Sequence, residues 1–197
     1  MSPNQNNHMS VSVSKFVRRQ TPTDLLNAFA VTDGIQIINV PVLKGRSFNP
    51  ATPGIGSEFH DAFHARNQGH RVKVDYFHYI QALRDWLFEN GAHRLWTEWE
   101  YDCGQRWHGT TDASISAGPK RHGTLEIKVQ GADPKDGYVE DWAQIACYCD
   151  LAACSGCSIE SQWCALAYVL PRQKLIRILL VTDVARLTSR LTLLKTA

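Results

Sequence analysis

Residues 109–130, GTTDASISAGPKRHGTLEIKVQ, contain the pattern that decides the fold. Two runs with the composition of β-strands lie on either side of the turn sequence AGPKRHG, which is typical of two antiparallel strands. In the second run Glu126 and Lys128 are two positions apart, so they point to one face of the strand. The residues that alternate with them are apolar: Leu125, Ile127 and Val129. A carboxylate and an ammonium group therefore share one side of a strand whose other side belongs in a core.

Asp112 stands at the end of the first strand of this pair. If it lies on the same side as Glu126, two carboxylates converge, which is unfavourable unless a divalent cation lies between them. Oxygen ligands of this kind select Mg²⁺ or Mn²⁺. Such a site can activate water for phosphodiester hydrolysis, with Lys128 beside it. The alternative is that Glu126 and Lys128 are ordinary alternating charges and Asp112 only forms the strand end.

Helical and strand patterns precede this pair. Ser57 is predicted to cap a helix through EFHDAFHAR. Helical spacing of apolar residues over 76–89 predicts a second helix, which Asn90-Gly91 ends. The run RLWTEWEYD at 94–102 predicts a strand, so three strands form a meander.

The rest of the chain continues the alternation of helices and strands. The other predicted elements are, in chain order, a helix at 23–30, a strand at 35–43, a helix at 138–153, strands at 163–170 and 174–181, and a closing helix. Residues 1–10 are polar and are expected to be disordered. This order predicts one α/β domain over residues 1–197, with a central mixed β-sheet flanked by helices.

Composition narrows the function. The 197 residues are 44% hydrophobic and 20% charged, which fits a globular domain and excludes a disordered or collagen-like chain. The net charge of +2 argues against binding of nucleic acid by bulk charge, so any such site must be local. Since no stretch has the apolar length of a secretory signal or a membrane span, we expect an intracellular, cytoplasmic protein with no membrane partner.

Four short motifs follow one another along the chain. They are G-x-x-x-H at Gly56-Ser57-Glu58-Phe59-His60, G-x-x-D at Gly109-Thr110-Thr111-Asp112, E-x-K at Glu126-Ile127-Lys128 and Q-x-x-x-Y at Gln144-Ile145-Ala146-Cys147-Tyr148. Over roughly residues 53–150 the sequence thereby resembles the PD-(D/E)xK nuclease superfamily, in particular its RecB-like branch, which includes phage exonucleases. The resemblance implies a restriction-endonuclease-like core.

The resemblance also implies a role for each matching residue. Asp112 and Glu126 match the metal-binding carboxylates, and the carbonyl of Ile127 would complete the coordination. Lys128 matches the lysine that acts on the nucleophilic water. His60 matches the additional imidazole ligand of the RecB-like branch, which would favour Mn²⁺.

His60 has two other interpretations. A helix histidine is often satisfied by a neighbouring backbone group. His60 and His64 could also bind zinc as an i,i+4 pair, but the glutamate of H-E-x-x-H and a third ligand are missing.

Gln144 and Tyr148 are four residues apart on the helix after the E-x-K strand, so they project in one direction. In the family this face meets the catalytic lysine or the scissile phosphate. The alternative is an amphipathic helix on which Gln144 is merely exposed. Glu98 matches an auxiliary glutamate found in many relatives, either an acid behind the metal ligands or a ligand of a second metal. Its spacing does not separate it from Glu100 on the same strand face.

Some relatives hold an iron–sulfur cluster, and Cys154, Cys157 and Cys164 have a suggestive C-x-x-C spacing followed by a third cysteine. Their position disfavours a cluster here. They precede the last two strands, Cys164 lies in an apolar run where thiols are usually buried, and no cysteine precedes Gly56. We therefore expect Mg²⁺ or Mn²⁺ as the cofactor and thiols rather than a cluster.

Local basic residues provide candidate DNA contacts. Lys120 and Arg121 lie in the turn between the two catalytic strands. The chain from Ala165 onward carries six basic residues and a single acid, although these could be ordinary solvated side chains: Arg172, Lys174, Arg177, Arg186, Arg190 and Lys195, with Asp183. Trp96, Trp99 and Trp107 could stack on bases but are expected in the core.

The sequence thus predicts a Mg²⁺- or Mn²⁺-dependent DNA nuclease, in particular an exonuclease, in recombination, repair or phage and mobile-element DNA processing. By analogy with such enzymes it could form a homo-oligomer or act with a recombination partner protein. The alternative is a catalytically inactive DNA-binding or assembly subunit with the same fold.

Overall fold

The strand that carries Glu126 and Lys128 lies inside a mixed β-sheet. The structure, a computed structural model, describes residues 11–30, 34–102, 107–116, 122–154 and 161–194. Its strands are β1 Val11–Ser12, β2 Ile35–Pro41, β3 Arg94–Asp102, β4 Trp107–Ser116, β5 His122–Val129, β6 Ser161–Leu170 and β7 Leu175–Val181. Its helices are α1 Val13–Arg19, α2 Pro22–Phe29, α3 Ile55–Asn67, α4 Val74–Glu89, α5 Val139–Cys154 and α6 Val184–Ser189, followed by the 3₁₀ helix Arg190–Leu193.

The sheet has seven strands in the described part of the chain, in the order β1-β4-β5-β6-β7-β2, with β3 on the other side of β4. The meander β3-β4-β5 and the hairpin β6-β7 are antiparallel, as predicted. Strands β5 and β6 are parallel, and α5 connects them. The α/β class and the central mixed sheet flanked by helices are therefore confirmed.

Alternation along the strands divides the core into two layers. Leu125 and Ile127 are fully buried among residues of α3 and α4. Tyr168 of β6 points to the opposite layer, which contains α1, α2, α5 and α6. The predicted apolar face of the E-x-K strand is thus confirmed, and Glu126 and Lys128 are directed to the α5 side.

Helix ends follow local backbone geometry. Helix α4 ends at Asn90, with Gly91 at φ 88°, as predicted. The prediction that Ser57 caps α3 is wrong. The helix begins at Ile55, and its N-cap is Gly54, which has φ 80° and provides no side-chain cap. The left-handed conformation, which favours glycine, turns the chain three residues earlier than a cap at Ser57 would.

One helix and one strand were not predicted. Strand β1 and helix α1 occupy residues 11–19, ahead of the first predicted helix. Val13, Phe16 and Val17 are buried, and the Phe16 ring lies 4.6 Å from that of Trp107. Tertiary packing therefore holds this short helix in place. Residues 1–10, expected to be disordered, lie outside the described residues.

A split between β4 and β5 shapes the sheet at Asp112. The two strands pair only from Ala113 to Ser116 of β4. Nearer its start, β4 pairs instead with β1, which is parallel to it at Trp107 and His108. Where the backbone pairing is absent, side chains of β4 join the strands: Thr111 donates a hydrogen bond to the Leu125 carbonyl, and Asp112 accepts one from the Ile127 N–H. Helix α1 follows β1 directly and so enters this region.

No helix in the described ranges is both long enough and apolar enough to span a membrane.

Candidate active site

Asp112 and His60 meet at the split in the sheet. Asp112 Oδ2 accepts a hydrogen bond of 2.6 Å from the backbone N–H of Ile127, which fixes the carboxylate against β5. His60 on α3 places Nδ1 3.1 Å from Asp112 Oδ1 and Nε2 2.9 Å from the carbonyl oxygen of Ile127. Burial lowers the pKa of His60, but the hydrogen bond to Asp112 and the nearby carboxylates outweigh it, so the net pKa is raised.

Glu126 is a buried carboxylate with one unsatisfied oxygen. Only 3% of the residue is exposed. Oε1 accepts hydrogen bonds from Lys128 Nζ at 2.8 Å and from Gln144 Nε2 at 2.9 Å, whereas Oε2 is buried without a hydrogen-bond partner. Burial, with the charge of Asp112, raises the pKa of Glu126 to about 8 in spite of the opposing ammonium of Lys128.

Lys128 is held by three side chains. It donates to Glu126 Oε1 and, at 2.9 Å, to Gln144 Oε1, and its ammonium lies 3.9 Å from Asp141 Oδ1. Burial lowers the pKa of Lys128, but the carboxylates of Glu126 and Asp141 outweigh it and the net pKa is raised. Lys128 therefore remains an ammonium group, able to donate hydrogen bonds and to stabilise negative charge.

Gln144 and Tyr148 share one face of α5, as the spacing predicted. The Gln144 amide joins Glu126 to Lys128, and its Nε2 donates to the Tyr148 hydroxyl at 3.2 Å. The Tyr148 ring packs against Gly109, where an added Cβ would lie only 2.9 Å from Tyr148 Cε1. The glycine of the G-x-x-D motif thus makes room for the tyrosine of the Q-x-x-x-Y motif.

Asp141 is a site residue that the sequence analysis missed. Its side chain is mostly buried near Lys128, and Oδ2 accepts a hydrogen bond of 2.7 Å from the Tyr168 hydroxyl. Burial raises the pKa of Asp141, although Lys128 and the Tyr168 hydrogen bond oppose the rise. The signal was present in the sequence, because Asp141, Gln144 and Tyr148 have the spacing of one helix face.

Glu98 lies beside the site but outside its hydrogen-bonded network. Its carboxylate is 3.6 Å from His64 Nδ1, and that nitrogen is 2.6 Å from Thr97 Oγ1. The flanking pairs, Thr97 with Ala113 and Trp99 with Thr111, place Glu98 across from Asp112. Its φ of 53° is in the left-handed region, which is unfavourable for a glutamate in a strand. Spacing alone did not separate Glu98 from Glu100. Glu100 is exposed and lies farther along β3, where it pairs with Thr110 of β4.

The donor set of this site fits a divalent cation. It comprises two carboxylates, a backbone carbonyl and an imidazole, and it includes the unsatisfied Oε2 of Glu126. The described residues contain no group of three or more His, Cys, Asp or Glu side chains gathered closely enough to hold a metal ion as they stand. His60 is instead hydrogen-bonded to two of the other predicted ligands, Asp112 and the Ile127 carbonyl.

Other predicted site residues lie elsewhere. Lys120 and Arg121, the candidate DNA contacts, lie outside the described residues, as does Cys157. Cys164 is fully buried in β6. In the basic C-terminal segment, Arg177 forms an ion pair of 2.8 Å with Asp133. Of the three tryptophans expected in the core, Trp107 is buried, Trp96 is partly buried and Trp99 is exposed.

Trp107 is in the core, but Trp99 is 39% exposed and contacts Trp96, with ring centroids 5.9 Å apart. The expectation that Trp99 is a core residue is therefore wrong. The location of Trp99 on β3 explains its exposure. In the sheet, β3 pairs with β4 and is not part of the continuous strand order β1-β4-β5-β6-β7-β2.

Comparison with known proteins gives a weak similarity to a solved structure. No protein-family model matches the sequence, and no curated protein matches it. Among solved structures, the crystal structure of SSO0001 is similar at 20% sequence identity with a TM-score of 0.35, over 57% of this chain. The match spans about half of that chain, 54% of its length. A similarity this weak says nothing about the function of the site.

Proposed function

We propose that this protein is a divalent-metal-dependent nuclease that hydrolyses phosphodiester bonds in DNA. One observation carries the proposal: residues of three separated motifs, His60, Asp112 and Gln144, form hydrogen bonds to the E-x-K segment of β5, where Glu126 keeps a buried, unsatisfied oxygen. A buried carboxylate with an orphaned oxygen beside a second carboxylate is a strong candidate for a functional group. The sequence resemblance to PD-(D/E)xK nucleases of the RecB-like branch supports the same activity.

Asp112, Glu126, the Ile127 carbonyl and His60 would hold the cation, Mg²⁺ or Mn²⁺. When bound, it would lower the pKa of a water molecule and neutralise charge on the phosphate. The chain's own residues do the rest. Glu126 and Gln144 hold the Lys128 ammonium in place, so that it can donate a hydrogen bond to the attacking water or to a phosphate oxygen. Tyr148 in turn supports the Gln144 amide.

Finer features of the activity rest on the resemblance. We infer in-line attack that leaves a 5′-phosphate, action from DNA ends as an exonuclease, and a role in recombination, repair or phage DNA processing. An intracellular location, and a homo-oligomer or a recombination partner protein, belong to the same inference.

The test compares cleavage of linear and circular DNA with Mg²⁺, Mn²⁺ or EDTA. Glu126→Gln and Lys128→Ala should each reduce the rate of DNA cleavage by about 100-fold or more, because each removes a charged group that takes part in stabilising charge at the reacting phosphate. Glu100→Gln is the matched control, since Glu100 is an exposed carboxylate on β3. Its rate should equal that of the wild type.

The outcome is decided on variants shown by circular dichroism to be folded. Faster cleavage of linear than of circular DNA would support exonuclease action. A wild type that binds DNA but cuts it with neither metal would contradict the proposal and favour the inactive DNA-binding subunit.

A further inference from the structure

Helix α1 presents a row of positive charge beside the candidate active site. Lys15, Arg18 and Arg19 are exposed, whereas Phe16 and Val17 are buried. The three cations have i, i+3 and i+4 spacing, so they lie on one side of the helix. The helix contains no acidic residue that would offset them.

A cavity of about 490 Å³ connects this helix to the site. Ser14, Val17 and Arg18 of α1 line it together with Leu25 of α2. Lys128 of β5 and Glu140 and Gln144 of α5 also line it. The volume is in the range of small-molecule sites, about 300–1,000 Å³, and is far too small for a DNA duplex.

The split in the sheet explains why the cavity is there. Strand β1 pairs with β4 at Trp107 and His108, in the part of β4 that β5 does not pair with. Helix α1 starts at the residue after β1. Arg18 is therefore brought to the same space as Lys128, although the two residues are far apart in the chain.

We propose that this cavity binds one nucleotide unit of a single DNA strand next to the bond to be cut. The inference rests on the proposed nuclease function and specifies its substrate as a single-stranded or unpaired end. The Arg18 guanidinium contacts a backbone phosphate, a group for which arginine has the matching planar donors. Val17 and Leu25 supply an apolar wall for the base or sugar.

Glu140 makes the cavity electrostatically asymmetric. Its carboxylate repels phosphate, whereas the Arg18 guanidinium in the lining of the same cavity attracts it. The backbone of the strand should therefore follow α1, where Lys15 and Arg19 flank Arg18. Arg18 and Glu140 thus offer a pair of charge substitutions with opposite expected effects.

The experiment measures fluorescence anisotropy of a labelled single-stranded oligonucleotide in EDTA, so that binding is observed without cleavage. Arg18→Gln should weaken binding about fivefold or more and reduce the slope of log K against log salt by about 0.7, the loss of one phosphate contact. Glu140→Gln should tighten binding. Arg186→Gln is the matched control, because it removes the same charge from α6, at a different cavity.

Several results would overturn the inference. One is unchanged binding by Arg18→Gln, and another is equal weakening by Arg18→Gln and Arg186→Gln, which would indicate a general charge effect. Tighter binding of blunt duplex than of single strand would also overturn it. Glu126→Gln in the same assay separates the two proposals, since it should bind normally and fail to cut when metal is added. If it cuts, the assignment of Glu126 to the catalytic site fails whatever Arg18 does.

Discussion

Gly109 shows how a single residue positions the candidate active site. A Cβ at this position would lie 2.9 Å from Tyr148 Cε1, closer than a real contact allows. Gly109→Ala should displace the Tyr148 ring and with it Gln144, which holds Lys128. We expect a loss of about 1–3 kcal/mol of stability from overpacking and about a tenfold loss of nuclease activity. Chemical denaturation and the cleavage assay measure the two effects.

The control is Gly56, the glycine of the G-x-x-x-H motif. It lies in α3, and an added Cβ would meet nothing within 4 Å. Gly56→Ala should therefore stabilise the protein by about 0.5–1 kcal/mol through helix propensity, with activity retained. Equal effects of the two substitutions would contradict the packing role given to Gly109.

Glu126 gives a residue-level prediction of pH dependence. Its pKa is raised by burial from the ordinary value of 4.5 to about 8 in the folded, metal-free protein. A carboxyl group with a raised folded-state pKa binds more protons folded than unfolded, so stability falls as the pH rises from about 5 to about 8. Glu126→Gln removes this carboxyl group and should therefore reduce the loss of stability with rising pH.

The measurement is the free energy of unfolding in EDTA across this pH range. We expect Glu126→Gln to be more stable than the wild type near pH 8 by an amount on the order of 1 kcal/mol or more, since one pKa unit corresponds to roughly that free energy. Near pH 5 the two proteins should have similar stability. Parallel pH profiles would show that Glu126 is not the source of the dependence.

Strand β3 carries strain at Glu98. A φ of 53° costs a residue with a side chain about 1–2 kcal/mol, whereas glycine adopts it freely. The exposed contact of Glu98 with His64 contributes little to stability. Glu98→Gly should therefore leave stability unchanged or raise it. Glu100→Gly, on the same strand at an ordinary φ, should lower it by about 0.5–1 kcal/mol.

Urea denaturation of both variants provides the comparison. If Glu98→Gly is as destabilising as Glu100→Gly, the left-handed φ of Glu98 does not lower the stability of the protein. Strain of this kind concentrates at functional positions. A fall in cleavage rate by Glu98→Gly without a fall in stability would accordingly support an auxiliary role for Glu98.

Elements with long, regular patterns were predictable from the sequence. Helices α4 and α5 and strand β5 begin and end within two residues of their predicted limits, because periodicity is strong in each. Helix α1 was not predictable in this way. Seven residues are too few for an isolated helix, and its stability depends on the contact of Phe16 with Trp107, which is distant in sequence.

The candidate site was predictable in part for the same reason. Alternation in β5 placed Glu126 and Lys128 on one face, and helical spacing placed Gln144 and Tyr148 together. The split between β4 and β5 arises from pairing with β1, a contact between distant segments that no local pattern encodes. Asp141 was missed because an acid in the first turn of a helix is common without any catalytic role.

At the scale of the whole molecule, the sheet brings together groups that disfavour one another without a cation. Burial and the charge of Asp112 raise the pKa of Glu126, and one oxygen of Glu126 is left without a hydrogen bond. Other parts of the fold hold these groups in place, since α3 contributes His60 and α5 contributes Gln144. A ligand that binds only the folded state stabilises it by mass action. The fold and the proposed metal site are therefore linked thermodynamically.

This linkage predicts a metal-dependent melting temperature. At a concentration of Mn²⁺ about 100 times its Kd, the gain is about 2.7 kcal/mol, and for a domain of this size each kcal/mol raises Tm by about 2–4 °C. We therefore expect differential scanning calorimetry to show Tm rising by about 5–10 °C with Mn²⁺. Glu126→Gln should abolish the rise and Glu100→Gln should keep it.

His60 determines which ion stabilises the fold more. Because imidazole is a poorer ligand for Mg²⁺ than for Mn²⁺, the wild type should be stabilised more by Mn²⁺. His60→Gln should narrow the difference between the two ions, since it replaces the imidazole by an amide at the position that contacts Asp112 and the Ile127 carbonyl. A Tm that neither ion raises in the wild type would show that the carboxylates do not form a metal site. An unchanged preference in His60→Gln would remove His60 from the ligand set and leave Asp112 and Glu126 in it.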